Sequence, residues 1–273
     1  MEENKRIYPA ERRGGALLRY GMLMLLALLV ITGLLGRNGG LSIQPTARPT
    51  PIPTDEIFDE TPAQREITLP GGTWYALQLG AFESREAAET QAEQFIRRGA
   101  AGYVWPDGRF RTLAAAYPDR EDAQAVRRQL SENHTVDTYL YEITLPQIQL
   151  RVKGMQGQLD ILEAAFRQAD SLTLGLHSIS LSLDRQEMSA SEAKVQLNAW
   201  AQQASNLSLR LKQRFASPVP QAVTSLIALM DSFCAWKNSL ADESAVQLGV
   251  QIKWETLEIL YQLKQLYDGF GTI

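Results

Sequence analysis

Alternation of apolar and polar positions sets the first predicted elements. Over residues 74–79, Tyr75, Leu77 and Leu79 fall on one side of an extended chain, and Trp74, Ala76 and Gln78 on the other. That two-residue period is a strand signature. Gly80 ends the run, and Ser84 is a candidate N-cap for a helix to about Arg98, with Ala88, Ala92 and Phe95 or Ile96 inward and Gly99 as its stop. Strands are predicted over 101–105 and 110–115, with Pro106-Asp107-Gly108 as the turn between them. Asp119 is the expected N-cap of a helix to about Ser131, and 136–143 reads as a fourth strand. The order β-α-β-β-α-β permits one antiparallel sheet with both helices on one face. The other face is then free, or covered by something else.

After Pro146 the period lengthens to that of helices. Four are predicted: over 152–183, from the Ser189/Glu192 capping box to about Phe215, over 219–240, and from an Asp242 cap to about Tyr267. Their inward sets are Leu159, Leu162, Phe166 and Ala169; Val195, Ala199, Gln202 and Leu209; Leu226, Leu229, Phe233 and Trp236; and Ile252, Leu257, Leu260 and Leu263. Short connections between them suit an antiparallel helical bundle.

Upstream the pattern is different again. Residues 20–36 carry no formal charge, and extension to Ala16 gives 21 residues, interrupted only by Arg19. At 1.5 Å per residue this is about 31 Å, the thickness of a bilayer's hydrocarbon layer. Residues 1–20 have a net charge of +2 and residues 21–70 of −2, which leaves the N-terminus in the cytoplasm and the remainder extracytoplasmic. Six prolines between residues 37 and 70 favour extended chain, a spacer from the membrane. The expected organisation is a stub (1–15), a transmembrane helix (16–36), a linker (37–70), a mixed domain (71–145) and a helical bundle (146–273). The fold class is α+β.

Composition narrows the chemistry. The net charge is −4, and residues 71–145 hold no lysine and carry −3, against a nucleic-acid partner. One cysteine, Cys234, excludes an intrachain disulfide and a cysteine-based zinc cluster, and two histidines, His134 and His177, leave little material for a histidine-rich metal site. There is no Gly-rich phosphate loop, HExxH helix or GxSxG elbow, so neither an enzyme nor a cofactor is expected.

The run Leu77-Gln78-Leu79-Gly80-Ala81-Phe82 with its following helix, and then the 109–117 run RFRTLAAAY with a second helix, resemble the SPOR domain, the sporulation-related repeat, over residues 72–143. Arg111 stands where an arginine commonly opens the second half's motif. Ala115 replaces a typical glycine, and Tyr117 a common phenylalanine. The resemblance implies a ribonucleoprotein-like sandwich that binds peptidoglycan glycan strands, preferring those stripped of stem peptides. Many such domains sit on single-pass membrane proteins at division or sporulation sites.

Taken with the strand alternation, the resemblance makes Trp74, Gln78, Arg111 and Leu113 the expected glycan-binding residues on the free face. Gln78 both donates and accepts, Arg111 offers a rigid set of donors, and Trp74 can stack on a sugar ring. Tyr139 and Tyr141 alternate so as to share one face. The alternative is an envelope scaffold, in which residues 146–273 self-associate or bind another envelope protein.

Overall fold

The computed structural model describes residues 60–134, 136–215, 217–241 and 244–270. The expected membrane span at 16–36 and most of the Pro-rich linker lie outside these residues. Among the described residues no helix is long and apolar enough to cross a membrane.

The chain is α+β, a small sheet domain followed by a helical region. Strand β1 (Pro62–Leu69) precedes β2 (Gly72–Phe82), α1 (Arg85–Ile96), β3 (Tyr103–Asp107), β4 (Arg109–Tyr117), α2 (Arg120–His134), β5 (Tyr139–Leu145) and β6 (Ile148–Met155). Four long helices follow: α3 (Gln156–Asp184), α4 (Ala190–Arg214), α5 (Gln221–Ser239) and α6 (Ala245–Phe270). Strands β3-β4-β2-β5 form one sheet in that order, every neighbouring pair antiparallel. The β-α-β-β-α-β order read from the sequence is therefore present.

Boundaries follow local chemistry. The Ser84 hydroxyl accepts the Ala87 amide at 3.3 Å and starts α1. Asp119 accepts the amides of Glu121 and Asp122 at 2.7 and 3.2 Å and starts α2. The Ser189–Glu192 capping box opens α4 as expected. Asp242 lies outside the described residues, and the Ser244 hydroxyl accepts the Gln247 amide at the start of α6. Pro106, expected in a turn, is paired with Phe110 inside β3; that strand is an edge, where a missing N–H costs no ladder bond. The turn itself narrows to Gly108, at φ +61°.

Two segments depart from expectation. Residues 62–69, assigned to the linker, pair in full with residues 148–155, where no strand was expected. Entry and exit of the sheet domain are thus tied in a two-stranded ribbon. Ile67 and Leu69 are buried, with Ile148, Leu150 and Val152 packed beside them on the same core as the bundle. Arg65 fastens the ribbon to α3 through Asp160 at 2.7 Å and Glu163 at 2.9 Å. The second departure is the rotation of α4. Val195 and Leu209 point outward, 66% and 54% exposed, while Ala193, Leu197, Ala204, Leu207 and Leu211 are buried. Gln202 is exposed as well, and leucines lie on both sides of the helix, so apolar character alone does not fix its rotation.

The two faces of the four-stranded sheet belong to different cores. Leu77, Ala114, Leu130 and Val136 pack with Leu79, Phe95, Tyr117 and Val126 under α1 and α2. Thr112 joins that side by donating to the Ala88 carbonyl at 3.1 Å. On the opposite face Trp74, Ala76, Tyr103, Trp105, Leu113, Ala116 and Ile143 are buried in one continuous cluster with the helical bundle. The face assignment for β2 and β4 is as read from the alternation. Most of the face expected to be free, however, is covered by the chain's own C-terminal helices.

Candidate functional site

The four expected site residues divide into two pairs. Trp74 is 6% exposed and Leu113 fully buried. Trp74 meets the His177 ring edge-on at 5.9 Å, and His177 also lies 5.5 Å from the Tyr117 ring. In this arrangement Trp74 and Leu113 pack against helices, and a sugar cannot reach them. The physical reason is area: an apolar sheet face left in water is costly, and the bundle removes it from water.

Gln78 and Arg111 lie at the end of the face that the helices leave open. The Arg111 guanidinium donates to Gln78 Oε1 at 2.9 Å and, through Nε, to Asp107 Oδ2 at 3.3 Å. Tyr141 donates its hydroxyl to the same Asp107 oxygen at 2.9 Å, and its ring lies under the guanidinium at 4.8 Å. Tyr139, opposite Gln78 in the ladder, is 66% exposed. Burial, with Asp107 next, pushes the Tyr141 hydroxyl up to about 12, so it remains a neutral donor at physiological pH.

Each part is positioned by backbone. Irregular β2–β4 register at Gln78 and Gly80 marks a bulge, which re-aims side chains at a strand end. A Cβ at Gly80 would lie 2.5 Å from the Gln91 side-chain amide, so glycine leaves room for that amide to donate to the Leu79 carbonyl at 3.4 Å. The glycine turn at 108 brings Asp107 beside Arg111. The result is a polar strip across all four strands: Asp107 from β3, Arg111 from β4, Gln78 from β2, and Tyr139 and Tyr141 from β5. Donors, an acceptor carboxylate and aromatic faces are the groups that carbohydrate recognition uses.

Asp107 and Tyr141 were not among the expected site residues. Alternation placed Tyr139 and Tyr141 on one face without saying which; Asp107 read only as a turn residue, because its side-chain partners come from other strands. A second polar group lies in a shallow cleft between sheet and bundle, lined by Tyr117, His177, Ser180, Asp184 and Lys253. Lys253 pairs with Asp184 at 2.8 Å, so this cleft is internally neutralised. Among the described residues no cluster of His, Cys, Asp or Glu could hold a metal ion.

No curated protein and no solved structure matches the chain. A family match covers residues 75–141, from inside β2 to inside β5, and includes Gln78, Asp107, Arg111 and Tyr141. Residues 75–141 are therefore a SPOR domain, a peptidoglycan-binding module, here followed by a helical bundle that packs on its sheet.

Proposed function

We propose that this protein binds cell-wall glycan strands through the open polar strip, with Gln78 and Arg111 as principal contacts and Tyr141 and Asp107 holding Arg111 in place. The observation that carries the reading is the Arg111–Gln78 hydrogen bond at 2.9 Å over the Tyr141 ring, within a SPOR domain. These groups are pre-organised, so little side-chain entropy is lost on binding. Stem peptides would crowd a strip bordered by helices, which favours denuded glycan. The apolar 16–36 segment and its charge flanks support a single-pass membrane protein with its folded domains extracytoplasmic. The protein acts as a binder in division, sporulation or envelope maintenance and performs no hydrolysis itself. The domain's net charge of −3 without lysine weighs against nucleic acid.

The test is sedimentation of the purified full chain with peptidoglycan, before and after amidase removes stem peptides. The chain should pellet with wall material, more so after amidase, and Gln78→Ala and Arg111→Ala should reduce recovery without changing circular dichroism. Equal recovery with and without wall overturns the reading. A second reading, an envelope scaffold built on residues 146–273, draws support from the exposed Leu174, Val195 and Leu209 on α3 and α4. Self-association of the full chain, lost on Val195→Asp and Leu209→Asp substitution, would support it.

A further inference from the structure

The aromatic packing that begins at Tyr141 continues beyond the SPOR domain. On α6, Trp254, Glu258 and Tyr261 are spaced i, i+4, i+7 and so form one stripe along the helix. That stripe lies against β3. The Tyr103 hydroxyl donates to Glu258 at 2.8 Å, and the Tyr103 ring meets Trp254 at 5.4 Å. Trp105 sits between two tyrosines, Tyr141 of the strip at 6.2 Å and Tyr261 of α6 at 5.2 Å, both edge-on. Tyr103 and Trp105 are themselves in contact at 6.2 Å. A continuous run of aromatic rings therefore leads from Tyr141 to α6. Trp105 is sealed at 2% exposure, whereas Trp254 keeps 38% of its surface in water although its edge is fixed against Tyr103.

We infer that the glycan-binding surface is composite: α6 forms one wall of it, and Trp254 stacks on a sugar beyond the one held by Gln78 and Arg111. The inference rests on the glycan reading above. A sugar ring presents a flat apolar face as well as hydroxyls, and a half-exposed indole held against Tyr103, at the other end of β3 from Asp107, supplies the surface for it. The bundle that closes the inner part of the sheet thereby returns an aromatic at the rim in place of the buried Trp74.

The experiment measures binding of the full chain and of Trp254→Ala, Trp254→Phe and Tyr261→Leu to denuded glycan, with Gln78→Ala alongside and thermal melts for each. Loss of one stacking ring should weaken binding about three- to tenfold for Trp254→Ala, with Trp254→Phe close to the parent and melting little changed. If Gln78→Ala weakens binding while Trp254→Ala binds like the parent, the composite wall is wrong and the glycan reading stands. Tighter binding by Trp254→Ala would make α6 a cover and also overturn the inference. If the parent itself does not bind, the glycan reading fails first. Should Tyr261→Leu melt early, the Trp254 pair alone decides.

Discussion

The indole of Trp74 and the imidazole of His177 meet edge-on at 5.9 Å, and this contact joins the SPOR sheet to helix α3. The two residues are separated by the rest of the sheet domain and by the ribbon strand β6. His177 has the rings of Trp74 and Tyr117 beside it and hydrogen-bonds the backbone of Ala116; Lys253 and Arg185 lie near enough to disfavour a further positive charge. Burial first, and those cations after it, pull its pKa down to about 4.

A pH dependence follows. A histidine whose folded pKa is depressed contributes stability that is complete above its unfolded value of 6.5 and is lost as pH falls toward about 4. The melting temperature should decline across that window, and a His177→Gln variant should show a shallower decline. Parallel declines for the two proteins would show that the seam does not sense this proton.

Glu255 gives the opposite slope. It is 1% exposed, and its Oε1 has no hydrogen-bond partner among the described residues. Burial, and then Glu258, raise its pKa from 4.5 to about 8. The folded state holds this proton where the unfolded state has lost it. The contribution is therefore complete below pH 4.5 and disappears as pH rises through 8. Glu255→Gln should melt several degrees above the parent at pH 8.5, with the difference shrinking at pH 5. Equal melting at both values would mean the carboxylate finds a partner or water.

Leu113 tests whether sheet and bundle unfold together. Truncation to alanine at this fully buried position should cost about 2–5 kcal/mol. Because Leu113 lies in one cluster with Leu226, Phe233 and Leu260, near-UV signals of the sheet and far-UV signals of the helices should shift to the same lower temperature. Two separated transitions would show the covering contact to be weak.

Arg111→Lys separates charge from geometry. Lysine keeps the positive charge but cannot donate from a planar group to Gln78 and Asp107 together while stacking on Tyr141. Glycan binding should fall nearly as far as in Arg111→Ala, with the melting temperature within about 2 °C of the parent because the site is partly exposed. Full binding by the lysine variant would reduce the site to a requirement for charge.

The sequence alone determined the local order of elements and the two faces of the central strands. Alternation in 74–79 and helical periods after Pro146 arise from neighbours in the chain, and the Ser84, Asp119 and Ser189 caps are read within a few residues of themselves. Gln78 and Arg111 were placed on one face by the same rule, and their hydrogen bond agrees with it. The family-specific run around Gly80 pointed to the SPOR domain.

Tertiary structure decided which side of the sheet meets water. Trp74 and Leu113 have the same alternation whether they face solvent or helices; only the docking of α3 and α6 distinguishes the two. Strand β6 is fixed by pairing with β1 across the whole sheet domain, a contact no local window contains. The rotation of α4 is set by the helices packed on it, since Leu209 is exposed while Leu197, Leu207 and Leu211 are buried. Asp107 becomes part of a site only once Arg111 and Tyr141 reach it from other strands. Local periodicity tells a side chain which way to point, but burial and partnership depend on what the rest of the chain brings to that face.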